Sequence, residues 1–386
     1  MPHYELIEND LDAFFEVPFV VYPRDSNYVS PFKPDLKRIL GDDNPLWSGG
    51  RGERTTYVLR RDGELVGRIT AHIHHASNER HGWNRSYFGF FDCVDDDEVA
   101  GRLLDASAAW GEAKGCDELW GNFNLTAMQQ MGVVTDHHGR VPFIEHIYSP
   151  PHIARLLEAH GFTREFPMTT FEYDLSSWDP DDPDHLITPA RLEALEAKGF
   201  EWRELSRKTF DSAMRHTARM LNVGFDANPF FVPLTEEEFM FSAKEMMWII
   251  DWRISSIVYK DGEPVGVIVC IPDLNPLLKA TGSKLKLSTP AHYLKYRLTR
   301  KRASLIFASV DPKHHGEGLA PSMLFRMCNS LVEAGYDTMG STWVADVNTK
   351  SLRLVEKGGA KPLHRIHLFK RPIGAASNTD ATSEEQ

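Results

Sequence analysis

The sequence predicts an α/β (α+β) chain built from two tandem copies of one domain. Three observations carry this. A nine-residue stretch occurs twice, Arg61-Asp62-Gly63-Glu64-Leu65-Val66-Gly67-Arg68-Ile69 and Lys260-Asp261-Gly262-Glu263-Pro264-Val265-Gly266-Val267-Ile268. Each copy leads to a strand (Tyr87–Val94; Ser304–Val310) and then a long helix (Glu98–Lys114; Leu319–Ala334) ended by Gly115 or Gly335. Each half then closes with a strand, a short helix and a glycine, in Ala159-His160-Gly161-Phe162 and Lys357-Gly358-Gly359-Ala360. A repeat of about 200 residues signals a duplicated domain rather than a solenoid, and 386 residues suffice for two packed cores.

Composition narrows the class. Apolar residues make up 42% and charged ones 25%, as in soluble globular chains. The net charge of −12 opposes broad nucleic-acid binding, which needs a basic face, but leaves room for a local basic pocket. Cys93, Cys116, Cys270 and Cys328 form no C-x-x-C pair, which suits reduced thiols in a cytoplasmic protein and no metal site. The residues His137, His138 and His146 fit no metal-ligand spacing. The N-terminus does not read as a signal peptide and no apolar run reaches membrane length, so no membrane partner is expected.

In chain order, Tyr4–Glu8 reads as a strand and Asn9 as the N-cap of a helix with Leu11, Phe14 and Phe15 on its apolar face. Val21–Pro34 is a loop and Asp35–Leu40 a short helix. Thr56–Arg60 and Leu65–Ile73 flank the turn Asp62-Gly63. Between the next strand and helix lie Asp95, Asp96 and Asp97, which would repel a pyrophosphate; Asp97 is the expected cap. Leu119–Phe123 is a strand with Asn122 and Asn124 near its end. The polar segment Leu125–Tyr148 is long for a plain connection and is expected to wall an acceptor site, with Asn122 and Asn124 as substrate-binding residues. Ser176–Pro189 holds four aspartates and three prolines and is a linker. Pro189–Lys198 is a short helix, Glu201–Leu205 a strand, and Thr209–Asn222 and Thr235–Ile250 helices, the second opened by the capping box Thr235/Glu238. Asp273–Arg302 is an insertion absent from the first half. Its basic stretch His292–Arg302 reads as a solvated amphipathic helix or as a source of cations for a phosphate group. The expected organisation is a first domain over 1–175, a linker over 176–199, a second domain over 200–372 and a disordered tail over 373–386.

The chemistry concentrates in Ser304–Ala320, where the apolar strand Leu305–Val310 meets Asp311-Pro312, then Gly316, Gly318 and a helix. Glycines allow a backbone to fold close to a ligand, and the first turn of a helix presents unpaired N–H groups to anions. The run lacks the third glycine of a dinucleotide fingerprint and the Lys-Ser/Thr of a P-loop. His315-Gly316-Glu317-Gly318-Leu319-Ala320 resembles instead the acyl-CoA loop [QR]-x-x-G-x-[GA] of the GNAT acyltransferase superfamily, with His315 where Gln or Arg is usual. The strand Tyr336–Val347, Asn348, the helix Thr349–Lys357, Gly359 and the strand Lys361–Arg371 follow in that family's order, and the hairpin Ile254–Tyr259/Pro264–Ile271 precedes.

The resemblance implies two GNAT-like domains, each a mixed, mostly antiparallel central sheet flanked by helices, with a degenerate first copy that binds no coenzyme A. It implies acetyl-CoA or another acyl-CoA as co-substrate, and attack on the thioester by an amine of a small molecule. The cofactor would be held by Ser309, Val310, His315, Gly316, Glu317, Gly318, Leu319, Ala320 and Asn348. An N–H near Val310 would receive the oxyanion. Asp346, His314 and Asn348 are the catalytic candidates, while the family's usual tyrosine acid is replaced by Val355. Asp226 and Phe230, in the connection Gly224–Pro233, would line the acceptor pocket or pack as core. A different acyl donor, such as aminoacyl-tRNA or acyl carrier protein, and a non-catalytic acyl-CoA sensor are the other readings. A monomer or homodimer is expected.

Overall fold

A computed structural model describes residues 1–126, 130–182, 187–224, 228, 230–244 and 246–374. The first half runs β1 (Tyr4–Glu8), α1 (Leu11–Val21), α2 (Lys33–Ile39), α3 (Pro45–Ser48), β2 (Gly52–Arg61), β3 (Glu64–His74), α4 (His75–His81), β4 (Arg85–Cys93), α5 (Asp97–Ala113), β5 (Glu118–Gly121), β6 (Val133–Asp136), α6 (Pro151–Ala159) and β7 (Thr163–Asp174). Helix α7 (Pro189–Glu196) connects the halves. The second half runs β8 (Phe200–Glu204), α8 (Phe210–Gly224), α9 (Glu236–Ala243), α10 (Met246–Ile249), β9 (Ser256–Lys260), β10 (Glu263–Pro272), α11 (Asn275–Thr281), α12 (Thr289–Thr299), β11 (Arg302–Val310), α13 (Leu319–Glu333), β12 (Thr338–Ala345), α14 (Thr349–Lys357) and β13 (Lys361–Pro372).

All the strands join one sheet in the order β1-β2-β3-β4-β5-β13-β7-β12-β11-β10-β9-β8, with β6 added to β13. The order is the same from either end when β1 is matched with β8, β2 with β9, and so on to β5 with β12. At the centre the halves exchange their last strands. β7 lies between β13 and β12, and β13 pairs with β5 of the first half. The chain therefore divides near the linker, but the sheet does not. Pairing is antiparallel except for β4 with β5 and β11 with β12.

The repeated nonapeptide forms the two hairpins β2–β3 and β9–β10. Asp62 and Gly63 have φ of 52° and 85°, and Asp261 and Gly262 have 52° and 82°. Positive φ at both central residues is the hairpin turn whose twist matches the strands, and Asp-Gly adopts it at low cost. Helices α5 and α6 cover one apolar face of the first half, and α1 and α2 the other. Helices α13 and α14 do the same on one face of the second half, opposite α8 and α9. Two caps differ from expectation by one residue. Asp10, not Asn9, accepts from the amides of Asp12 and Ala13 at the start of α1, and Asp96, not Asp97, caps α5. In each case the carboxylate one position away has the backbone angle that lets it reach the N2 and N3 amides.

The long segment after Asn124 is not a free loop. β6 pairs with β13, and Pro142–Ile144 docks on the second half. The Ile144 amide donates to Asp273 Oδ1 at 3.0 Å, and Ser304 Oγ donates to the Ile144 carbonyl at 3.1 Å. The Arg302 guanidinium lies 3.7 Å from the Phe143 ring centroid. This contact sits at the start of β11, a full strand length from Val310, so Pro142–Ile144 lies away from the glycine loop.

The seam buries histidines as neutral rings. Burial, with the charges of His364 and Arg302 nearby, holds His146 down at about 3. Burial likewise holds His364 and His74 at about 4. The unfolded chain takes up these protons near pH 6.5. Between there and about 4 it binds more protons than the native state, so stability falls as pH falls. Each ring contributes on the order of 3 kcal/mol above pH 6.5 that is lost toward pH 4. Urea midpoints are therefore expected to drop steeply between pH 7 and pH 5; equal midpoints at the two pH values would contradict this burial.

Candidate active site

The second half opens a fork in its sheet. The parallel ladder of β11 and β12 runs from Arg302↔Thr338 to Leu305↔Ser341 and stops, although the strands continue to Val310 and Ala345. A bulge falls there, because Val269↔Phe307 is followed by Cys270↔Leu305 and leaves one extra residue on β11. Bulges bend a strand and end its pairing. Thr342 Oγ1 bridges the mouth by donating to the Ile306 carbonyl at 2.9 Å. The Asp311 amide donates to Val265 of β10 at 2.9 Å. By the two-residue period, the amides of Ala308 and Val310 then point away from β10, into the fork. The Ser309 side chain lies on the α8 side, its hydroxyl donating to the Met220 carbonyl at 2.9 Å.

Beyond Val310 the chain turns through Pro312–His314 into α13. Gly316 and Gly318 have φ of 86° and 83°, a region that side chains other than glycine's rarely adopt. Gly318 is the N-cap of α13 and makes no side-chain cap hydrogen bond. The first-turn amides of α13 thus carry no side-chain partner from the cap, and a helix N-terminus of this kind favours an anion. Leu319 itself is buried in the second half's core and Ala320 packs against it, so only their main chains can serve a ligand. The loop is held from behind: His315 Nε2 meets the Val310 carbonyl at 3.2 Å, and His314 Nδ1 meets Glu317 Oε1 at 2.8 Å. That hydrogen bond lowers the Glu317 carboxyl below its ordinary value. Arg191, from α7, donates to the Glu317 carbonyl at 3.3 Å, and its Nη2 stands 2.9 Å from where a Cβ on Gly318 would lie. A linker helix therefore supplies a cation to the loop, which the sequence reading missed; an arginine in a spacer gives no pattern that marks it.

The first half closes both features. Asp96 Oδ1 accepts from the amides of Glu98 and Val99 at 3.0 and 3.2 Å, so a carboxylate already occupies the helix N-terminus. Arg61 and Arg155 pair with Asp96 and Asp95. The fork between β4 and β5 is filled by the asparagines expected to bind substrate. Asn124 Oδ1 accepts from the Phe90 amide at 2.7 Å, Asn122 Oδ1 from the Phe91 amide at 3.2 Å, and the Asn122 side chain donates to Asn124 at 3.0 Å. Both are buried and spend these groups on β4, as side-chain replacements for the missing ladder.

Other expected residues are committed to structure. Asp346 is gripped by Arg365 through two hydrogen bonds, of 2.8 and 2.6 Å, which makes it an ion-pair partner rather than an available base. His314 packs edge-on against Phe200 and is tied to Glu317. Asn348 caps α14, accepting from the Ser351 amide at 3.1 Å. Val355 is core. The basic stretch forms α12 and leads into the start of β11, so its cations lie at the opposite end of that strand from the loop. Asp226 lies outside the described residues. Phe230 joins an aromatic group with Trp83, Trp120, Phe123 and Phe166, at centroid distances of 5.9, 5.5, 6.3 and 4.7 Å. Trp343, two residues past the end of the ladder, continues it through Phe166 at 6.3 Å.

The acetyltransferase (GNAT) family profile matches residues 225–360, the span that holds the fork and the loop. That part of the chain resembles the GNAT family. The chain's full length aligns in space with a tandem GNAT protein from the clavulanic acid biosynthesis pathway, with a TM-score of 0.57 at 13% identity, covering 96% of this chain and 99% of that one. The chain thus has a duplicated fold of that kind. It is 25% identical to protein YghO of Escherichia coli over 381 residues, covering 95% of this chain and 94% of that protein. It is 23% identical to the bacterial ceramide synthase of Caulobacter vibrioides over 373 residues, covering 94% and 95%. GNAT enzymes take their acyl group from a coenzyme A thioester.

Proposed function

We infer that the second half alone binds acyl-CoA and transfers its acyl group to the amine of an acceptor with a substantial apolar part. The asymmetry between the halves carries this reading: one fork is open beside a glycine-capped helix, and the other is plugged by asparagines beside an aspartate-capped helix. The residues present fit the donor. The first-turn amides of α13, with Arg191 beside them, suit a pyrophosphate, and the space at Gly316 is open on the side where a Cβ would point. When bound, the thioester supplies an activated carbonyl. The Ala308 and Val310 amides, turned into the fork, are the donors suited to the oxyanion.

The acceptor side is apolar. Phe230, Phe166, Trp343 and Trp120 surround the centre of the sheet where the exchanged strands meet the fork. Such a wall recognises hydrocarbon and offers few hydrogen bonds. The relative named a ceramide synthase points the same way, since ceramide is an amide of a long-chain amino alcohol.

The test incubates the protein with acyl-CoA thioesters from acetyl to palmitoyl and with long-chain amino alcohols or short polar amines, following free thiol and amide mass. Amide formed from the long-chain amine is the expected result; thiol release with short polar amines alone would sink the acceptor assignment. Calorimetric titration is expected to give one coenzyme A per chain, and two would overturn the asymmetry.

A further inference from the structure

The insertion that the first half lacks has no role in the chemistry above, yet it is built in an unusual way. From Lys279 to Arg302 it contains eight lysines and arginines and no acidic residue, in a chain of net charge −12. It is held down at few points. Ser283 Oγ donates to the Ser30 carbonyl at 2.7 Å, Tyr296 is buried, and Arg300 pairs with Asp251 at 2.6 Å. The rest of α12 faces outward. Leu285, Leu287, Leu294 and Leu298 are 70%, 105%, 61% and 79% exposed. Positions 291, 294 and 298 follow the helical period, so Ala291, Leu294 and Leu298 fall on one stripe of α12, and Leu287 stands in the turn just before it. Lys286, Lys295 and Arg297 stand among these leucines, and no ion pair is formed by them among the described residues. On α1, which Lys284 of this insertion contacts, Phe19 and Val20 are 43% and 58% exposed. Lys284 bridges the two elements, 5.7 Å from the Phe19 ring centroid and 2.9 Å from Glu16 Oε2.

Burying these leucines against protein would favour a neutral rim, and leaving them in water costs free energy for each side chain. Leucines interleaved with unpaired cations match a surface that is apolar below and anionic above. We propose that α12, the segment before it and the exposed end of α1 form a docking surface for a bilayer rich in anionic phospholipid. No described helix is long and apolar enough to cross a membrane; a helix that lies in the headgroup plane needs no such length, which is why the hydropathy of the sequence gave no sign of it. The proposal stands apart from the catalytic reading, because binding is measured without turnover.

The experiment is co-sedimentation of the full chain with phosphatidylcholine vesicles that contain or lack phosphatidylglycerol. Binding is expected with phosphatidylglycerol only, weakening by roughly tenfold or more in high salt as the surface charge is screened. Leu294→Ser with Leu298→Ser, and separately Lys295→Glu with Arg297→Glu, are each expected to lower binding by roughly tenfold or more. Both pairs are exposed, so an unchanged thermal midpoint accompanies the loss. The proposal is overturned if the wild-type chain stays in the supernatant, or if both double variants bind as it does. It is also overturned if the chain without vesicles is a dimer that the leucine variant converts to monomer, because a second copy would then cover the patch.

Discussion

Gly318→Val is expected to abolish detectable acyl-CoA binding. At φ of 83° a β-branched residue is strained by about 1–2 kcal/mol, and its Cβ would lie 2.9 Å from Arg191 Nη2, displacing the guanidinium that flanks the loop. That variant disturbs both the loop and the cation, so two others separate the causes. Gly316→Ala puts a Cβ where no protein atom lies within 4 Å. The fold then bears only the backbone penalty of about 1 kcal/mol, and a larger loss of affinity belongs to the ligand's side of the loop. Arg191→Ala leaves the loop glycines intact and removes only the charge. Calorimetric titration with acetyl-CoA, run beside thermal melts, reads all three. A folded Gly316→Ala variant with unchanged affinity would show that the loop does not hold the coenzyme.

Ending the chain at Gly359 is expected to unfold the first half as well as the second. The missing strand β13 is the neighbour of β5, β6 and β7. Its Leu363, Ile366, Leu368 and Phe369 are fully buried. At about 2 kcal/mol per buried side chain, the four contribute on the order of 8 kcal/mol, comparable with the whole stability of a typical domain. Hydrogen exchange followed by mass spectrometry should show the β5 amides, about 240 residues away in sequence, losing protection. A soluble truncated chain with β5 still protected would mean that the exchange of strands is dispensable. The converse holds at the linker: a chain nicked between Asp179 and Thr188 is expected to remain one particle, because each fragment holds a central strand of the other's sheet.

The duplication was legible because its signals are local. Asp62-Gly63 and Asp261-Gly262 specify hairpin turns by backbone preference alone, and Gly115, Gly161, Gly335 and Gly359 all end helices with positive φ. The glycine loop was legible for the same reason. The strand exchange was not, because alternation along Thr163–Asp174 tells which face is buried and not which strand lies alongside. Asn122 and Asn124 read as polar groups at a strand end, and their use inside the fork depends on strands that separate, which no local pattern records. Phe230 reads from the sequence as pocket or core; in the fold it is a buried aromatic whose cluster reaches Trp343 at the fork.

Merging two sheets into one also changes what the protein shows to its neighbours. Two separate sheets would present four unpaired strand margins, each a template for another chain. The joined sheet presents two, β1 and β8. Each margin is only five residues long, and each carries two glutamates, Glu5 and Glu8 on one and Glu201 and Glu204 on the other. Short margins bearing charged side chains are poor templates for a second copy. The same event that makes the halves inseparable thus removes half of the places where this chain could begin to aggregate.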